Sequence, residues 1–117
     1  KWASVRIFRH LWKGMLKDSE RGEKRVHATQ KPVALAEWAF DYYKDVKTVL
    51  DFFAGSGSTL IACEKTGRQA FCIELMAQYC DVIVERWQNF TGNEAVLESN
   101  GETFNSLRES RKVLLSA

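Results

Sequence analysis

The chain has 117 residues, 17 Lys/Arg, 15 Asp/Glu and 45% apolar residues, which bounds it to one small domain or a piece of a larger one. No apolar run approaches the roughly 18 residues that a membrane span needs, and no apolar stretch follows the basic start as in a signal peptide. The net charge of +2 is uneven: residues 1–31 hold nine Lys/Arg against three Asp/Glu, residues 32–117 eight against twelve. A basic first segment beside a mildly acidic body suits phosphate contacts at one edge; a solvated charged arm explains it equally well. The chain opens on Lys1 rather than methionine, so an internal fragment or a trimmed chain is expected. Cys63, Cys72 and Cys80 form no C-x-x-C pair and lack the ligand spacing of a zinc site. They read as buried, reduced thiols of a cytosolic protein.

Residues 3–12 alternate loosely between apolar and polar and are expected to form a strand. Residues 13–28, charged and interrupted by Gly14 and Gly22, read as a loop. Thr29 suits the cap of a helix whose first turn holds Pro32, where a missing N–H costs nothing. That helix is predicted to run to about Tyr43 and to be largely buried, because Leu35, Ala36, Trp38, Ala39, Phe40, Tyr42 and Tyr43 cover most of its circumference. Residues 47–53 form a short apolar run, as a parallel central strand does. Gly55 and Gly57 make a turn, Ser58 opens a helix, and Gly67 is placed to end it. A second strand is predicted over 69–75 and an amphipathic helix over 77–90, with Cys80, Ile83, Val84 and Trp87 on its apolar face. Beyond Gly92, Asn100-Gly101 fits the turn of a small hairpin between Val96-Leu97 and Thr103-Phe104, and Ser106 with Glu109 fits the capping box of a last short helix. Strand, helix, strand, helix in this order implies parallel strands. The fold class is therefore α/β, with residues 1–30 as an N-terminal strand and basic loop, 31–92 as the α/β core and 93–117 as an extension.

The candidate site lies where the two strands end. Asp51 falls at the carboxyl end of the first strand, where ligands of open α/β sheets bind. Gly55 and Gly57 let backbone approach a ligand, and free N–H groups at the start of the next helix can bind an oxygen or carboxylate. Glu74 ends the second strand, where a carboxylate can accept both hydroxyl protons of a ribose. Taken singly, Asp51 could be a solvated strand-end acid and Glu74 a cap for the helix after it. A second cluster, His27-Ala28-Thr29-Gln30-Lys31-Pro32, gathers hydroxyl, amide and cationic groups at a helix start, a seat for an amino-acid carboxylate; spacing alone favours ordinary capping beside a surface lysine. A nicotinamide-binding turn is disfavoured, because Leu60 stands where the third glycine of Gly-x-Gly-x-x-Gly belongs.

The segment Asp51-Phe52-Phe53-Ala54-Gly55-Ser56-Gly57-Ser58-Thr59 resembles the S-adenosylmethionine-binding motif of DNA amino-methyltransferases. His27-Ala28-Thr29-Gln30-Lys31-Pro32 resembles the His-Pro-Thr-Gln-Lys-Pro segment that precedes this motif in the permuted subgroup methylating adenine N6 or cytosine N4. Ile73-Glu74-Leu75 and the helix through Tyr79, Ile83 and Trp87 are similar to the strand end and helix that come after the motif in that subgroup. The likeness covers about residues 25–92 and is nearest to adenine-methylating members from phages and prophages. It implies a partial Rossmann-like methyltransferase fold with parallel strands flanked by helices. It also implies a cytoplasmic enzyme with S-adenosylmethionine as cofactor and DNA as partner of the complete protein. Asp51, Phe53, Gly55, Ser56, Gly57 and Ser58 would line the cofactor, Glu74 would hold the ribose hydroxyls, and Leu75 would flank the adenine. Thr29, Gln30 and Lys31 would face the methionine end. Ala28 departs from the proline usual at its position.

A larger departure is the catalytic tetrapeptide, Asp-Pro-Pro-Tyr or similar, which in the family precedes the Thr-Gln-Lys-Pro segment. This sequence has one proline, Pro32, so no catalytic residue is assigned within it. The tetrapeptide accepts hydrogen bonds from the base amine and stacks on a flipped base. The reading is thus the C-terminal portion of a DNA methyltransferase, catalytically incomplete alone. The alternative is a non-catalytic cofactor- or DNA-binding remnant, or an assembly module pairing through exposed sheet edges. Whether the parent serves restriction, phage biology or regulation is left open by the sequence.

Overall fold

The computed structural model describes residues 30–116, so the expected N-terminal strand and basic loop, with His27 and Thr29, lie outside the described residues. The elements are α1 (Val33–Tyr42), β1 (Thr48–Asp51), α2 (Ser58–Lys65), β2 (Gln69–Cys72), α3 (Ala77–Thr91) and α4 (Phe104–Ser116). The chain is α/β, a partial Rossmann-like arrangement in which β1 and β2 pair in parallel, Thr48 with Gln69 through Asp51 with Cys72. Pairing runs a step beyond the strands: Ile73 N–H donates to the Asp51 carbonyl at 2.8 Å and Ala54 N–H to the Ile73 carbonyl at 3.0 Å. Both loops that leave the sheet therefore start side by side.

The core sits between helices. Val33 of α1 packs with Ile61 and Ala62 of α2, and Ala36, Phe40 and Trp87 close around them. Ala62 is wholly inaccessible, a small residue within the contact between α1 and α2. Arg68, in the turn after α2, donates through Nε to the Val46 carbonyl at 3.0 Å, and its guanidinium lies 4.8 Å from the Phe40 ring centroid. One side chain thus ties α1, the start of β1 and the end of α2 together.

Three expectations are corrected. Pro32 occupies the cap position before α1 (φ −67°, ψ 142°), and the helix begins at Val33. Of α1 only Val33 is buried; the aromatic residues at its end are open, with Tyr42 and Tyr43 exposed. The helix packs against α2 through Val33, Ala36 and Phe40, and Leu35, Ala36 and Ala39 line a cleft. Only Cys63 is buried, whereas Cys72 and Cys80 are half-buried on elements with one covered face.

The C-terminal region folds as a tight reversal. Val96 and Thr103 form an antiparallel bridge around Asn100-Gly101, with Gly101 at φ 74°. The last helix is longer than its expected cap allows, because Thr103 caps it: the Ser106 N–H donates to Thr103 Oγ1 at 3.2 Å. Glu109 pairs forward with Lys112 at 2.7 Å instead of back to a cap. α4 meets α3 through polar groups, by the Arg108–Glu85 ion pair and a 3.4 Å hydrogen bond from Gln88 to Asn105.

Candidate functional site

A cleft of about 670 Å³ opens at the carboxyl end of the sheet. One wall is Lys31, Pro32, Leu35, Ala36 and Ala39; the other is Asp51 and Phe53 through Ser56, with Ser58, Thr59 and Glu74. Seven residues expected at the site therefore meet here: Lys31, Asp51, Phe53, Gly55, Ser56, Ser58 and Glu74. Gln30 and Gly57 are buried just behind this surface, and Leu75 stands beside it, 93% exposed. The apolar wall from α1 was not expected at the site; the signal for it was Leu35, Ala36 and Ala39 at one-face helical spacing.

Glu74 organises the floor. Its Oε2 accepts the Gly55 N–H at 2.8 Å and its Oε1 the Met76 N–H at 2.9 Å. One carboxylate thus spans the loops leaving both strands. These two bonds orient the group. Met76, not Glu74, holds the cap position of α3; Glu74 serves the turn before the helix. Asp51 makes a similar local turn, accepting the Phe53 N–H at Oδ1 over 3.0 Å. The turn leaves the Phe53 ring 91% exposed beside the cleft.

The two glycines do different work. Gly55 at φ 57° has only the Phe53 carbonyl near an added Cβ, at an ordinary 3.9 Å, so its constraint is backbone conformation. Gly57 at φ 79° would drive a Cβ to 3.2 Å from Ile83 Cγ2. Its missing side chain lets the loop press against α3, a packing reason beyond close approach to a ligand. Gly57 is also the cap of α2, with no side-chain acceptor for the first-turn amides; the positive end of that helix faces the cleft through Ser58 and Thr59.

The serines are committed to structure through their hydroxyls. Ser58 Oγ donates to the Lys31 carbonyl at 2.5 Å, lies 3.5 Å from Ser56 Oγ, and accepts from Arg86 Nη1 at 3.3 Å. Arg86 also donates to the Ser56 carbonyl at 3.1 Å. Arg86 was not expected here from the sequence; its signal was a cation three residues after Ile83, on the flank of the buried face of α3. Behind the floor, burial first, then the Asp51 charge and Cys63, push the Cys72 thiol from 9.0 up to about 11. Burial also raises that of Cys63. Among the described residues no group of three or more His, Cys, Asp or Glu could hold a metal ion, and no helix is long and apolar enough to cross a membrane.

A family model described as DNA methylase matches residues 3–85. The chain is 43% identical over 56 residues to the protein named "Putative methylase YubD" from Escherichia coli (strain K12); the match takes in 47% of this chain and 25% of that protein. The chain thus spans about a quarter of the curated relative it matches. No solved structure gives a significant match.

Proposed function

The chain belongs to the DNA methylase family, and from that premise we propose that its cleft is the S-adenosylmethionine pocket of a DNA amino-methyltransferase, with adenine N6 as acceptor ahead of cytosine N4. The observation that carries this reading is Glu74, fixed by two backbone N–H groups on the floor of a cleft, one of them from the glycine turn beside it. The volume lies within the about 300–1,000 Å³ of small-ligand sites. The Glu74 carboxylate, two residues past the end of β2, is assigned to the vicinal ribose hydroxyls. Phe53 and Leu75, both more than nine-tenths exposed, offer apolar surface for a purine ring. Lys31 and the first turn of α2 offer positive potential for a carboxylate, with Thr29 and Gln30 assigned to the same end. Asp51 rigidifies the strand end, and Gly55, Ser56, Gly57 and Ser58 contribute backbone rather than side-chain hydroxyls. When bound, the cofactor supplies an electrophilic methyl group on a sulfonium; the residues here bind and orient it and limit water behind the α1 wall.

This chain holds no Pro-Pro tetrapeptide. We therefore assign base stacking and amine activation to a portion of the parent protein beyond this sequence. In that assignment residues 31–92 are the cofactor core, 1–30 a strand and basic loop, and 93–117 an extension; DNA is met through the complete, cytoplasmic parent. The test is calorimetric titration of S-adenosylmethionine into the folded chain. Weak saturable binding is expected, reduced at least about tenfold in Glu74→Ala and in Asp51→Ala, the scale of one lost charged hydrogen bond. Absence of binding, or binding unchanged in both variants, overturns the cofactor assignment for this chain.

A second reading, an assembly module, draws on the bare sheet face. Leu50, Phe52, Phe71 and Ile73 lie together there, each more than half exposed.

A further inference from the structure

Arg86 lies on α3, thirty residues from the loop it touches. One guanidinium nitrogen, Nη1, reaches both the Ser56 carbonyl (3.1 Å) and Ser58 Oγ (3.3 Å). That nitrogen carries two hydrogens, one for each acceptor. Ser58 Oγ passes its own proton to the Lys31 carbonyl at 2.5 Å. A chain of two hydrogen bonds therefore runs from α3 through the glycine loop to the segment that leads into α1. These are the two walls of the cleft, yet Arg86 itself does not line it.

We propose that Arg86 is a positioning residue for the ligand pocket, holding loop 55–58 and the Gln30–Lys31 segment in their relative placement. The role rests on the cofactor reading for its purpose, though not for its geometry. The loop needs such a tether: two of its four residues are glycines in left-handed conformations, with more backbone freedom to lose than any other residue. A charge-assisted donor in a partly buried place is stronger than a neutral one. Lysine offers a flexible point charge in place of the planar fork, so Arg86→Lys should hold the loop only in part.

The experiment compares the wild-type chain with Arg86→Gln and Arg86→Lys by amide hydrogen exchange and by calorimetric titration of S-adenosylmethionine. In Arg86→Gln, exchange at the Gly55 and Gly57 amides should quicken about tenfold or more while the Ala54 and Ile73 amides of the ladder hold, and cofactor binding should weaken by a similar factor. Arg86→Lys should fall between; it carries the test alone if the glutamine variant does not fold. Unchanged loop exchange, or an equal rise in loop and ladder, overturns the proposal. Lost binding with unchanged exchange would do so too, by making Arg86 a direct ligand contact. If the wild-type chain fails to bind while loop exchange responds as expected, the cofactor reading falls and the tether stands.

Discussion

Gly57 and Gly55 look alike in the sequence and differ in consequence. Alanine at either must adopt a left-handed conformation, at a cost of order 1 kcal/mol. At position 57 its Cβ also meets Ile83 Cγ2 and Cγ1 at 3.2 and 3.3 Å. Ile83 is buried on α3 and has little room to yield. Gly57→Ala should therefore destabilise the chain by about 2–3 kcal/mol and Gly55→Ala by about 1, read from urea unfolding midpoints. Equal effects would mean that α3 gives way freely. Cys72 supplies a pH signature on the same floor. The folded chain favours the protonated thiol, raised from 9.0 to about 11 mainly by burial. Its contribution is complete below pH 9.0 and is lost as pH climbs toward about 11. Wild type should lose more stability over that window than Cys72→Ser, whose hydroxyl does not titrate there; parallel losses would refute it. Asp51, Gly55 and Glu74 were legible because strand-end acids and positive-φ glycines announce themselves locally. Arg86 was not, since its partners lie 28 and 30 residues away and no local pattern encodes that distance.

At the scale of elements, β1, α2, β2 and α3 could be read from periodicity, and the helices among them carry their own stops: Gly67 comes after α2 and Gly92 caps α3, both left-handed. α1 was readable as a helix, but not its exposure, because burial depends on what lies opposite, and Tyr42 and Tyr43 at its end stay open. The start of α4 was misplaced for a different reason. Two Ser/Thr residues three apart, Thr103 and Ser106, both qualify as caps, and Glu109 favoured the second. The hairpin decides: Thr103 is bridged to Val96, and Phe104 N–H donates to the Ala95 carbonyl at 2.9 Å, so the chain leaves the bridge directly into the helix. Thr103→Ala should cost about 1 kcal/mol and lower helix content at the C-terminus. Ser106→Ala should change little. Circular dichroism of the two variants checks the pair, and the reverse ranking would restore Ser106 as the cap.

For the molecule as a whole, the consequential feature is that, among the described residues, the sheet has two strands and is covered on one face. Val49, Ala70 and Cys72 are half-buried, whereas Leu50 and Phe71, paired in register, are 63% and 51% exposed and continue into Phe52 and Ile73. Two strands alone are marginally stable in water, and a contiguous apolar patch of this kind marks a surface that is buried in use. A second copy of the chain, meeting it face to face, can cover it. Sedimentation velocity should therefore show mass rising with concentration. Phe71→Lys, which sets a charge in the middle of the face without touching the cleft, should return the chain to a monomer with its circular dichroism intact. A wild-type chain that stays monomeric at every concentration would mean that the bare face tolerates water, and would remove the support for the assembly-module reading. If Phe71→Lys abolishes association but leaves S-adenosylmethionine binding unchanged, the sheet face and the cleft are separate surfaces, as their different linings require: none of Leu50, Phe52, Phe71 and Ile73 lines the cleft.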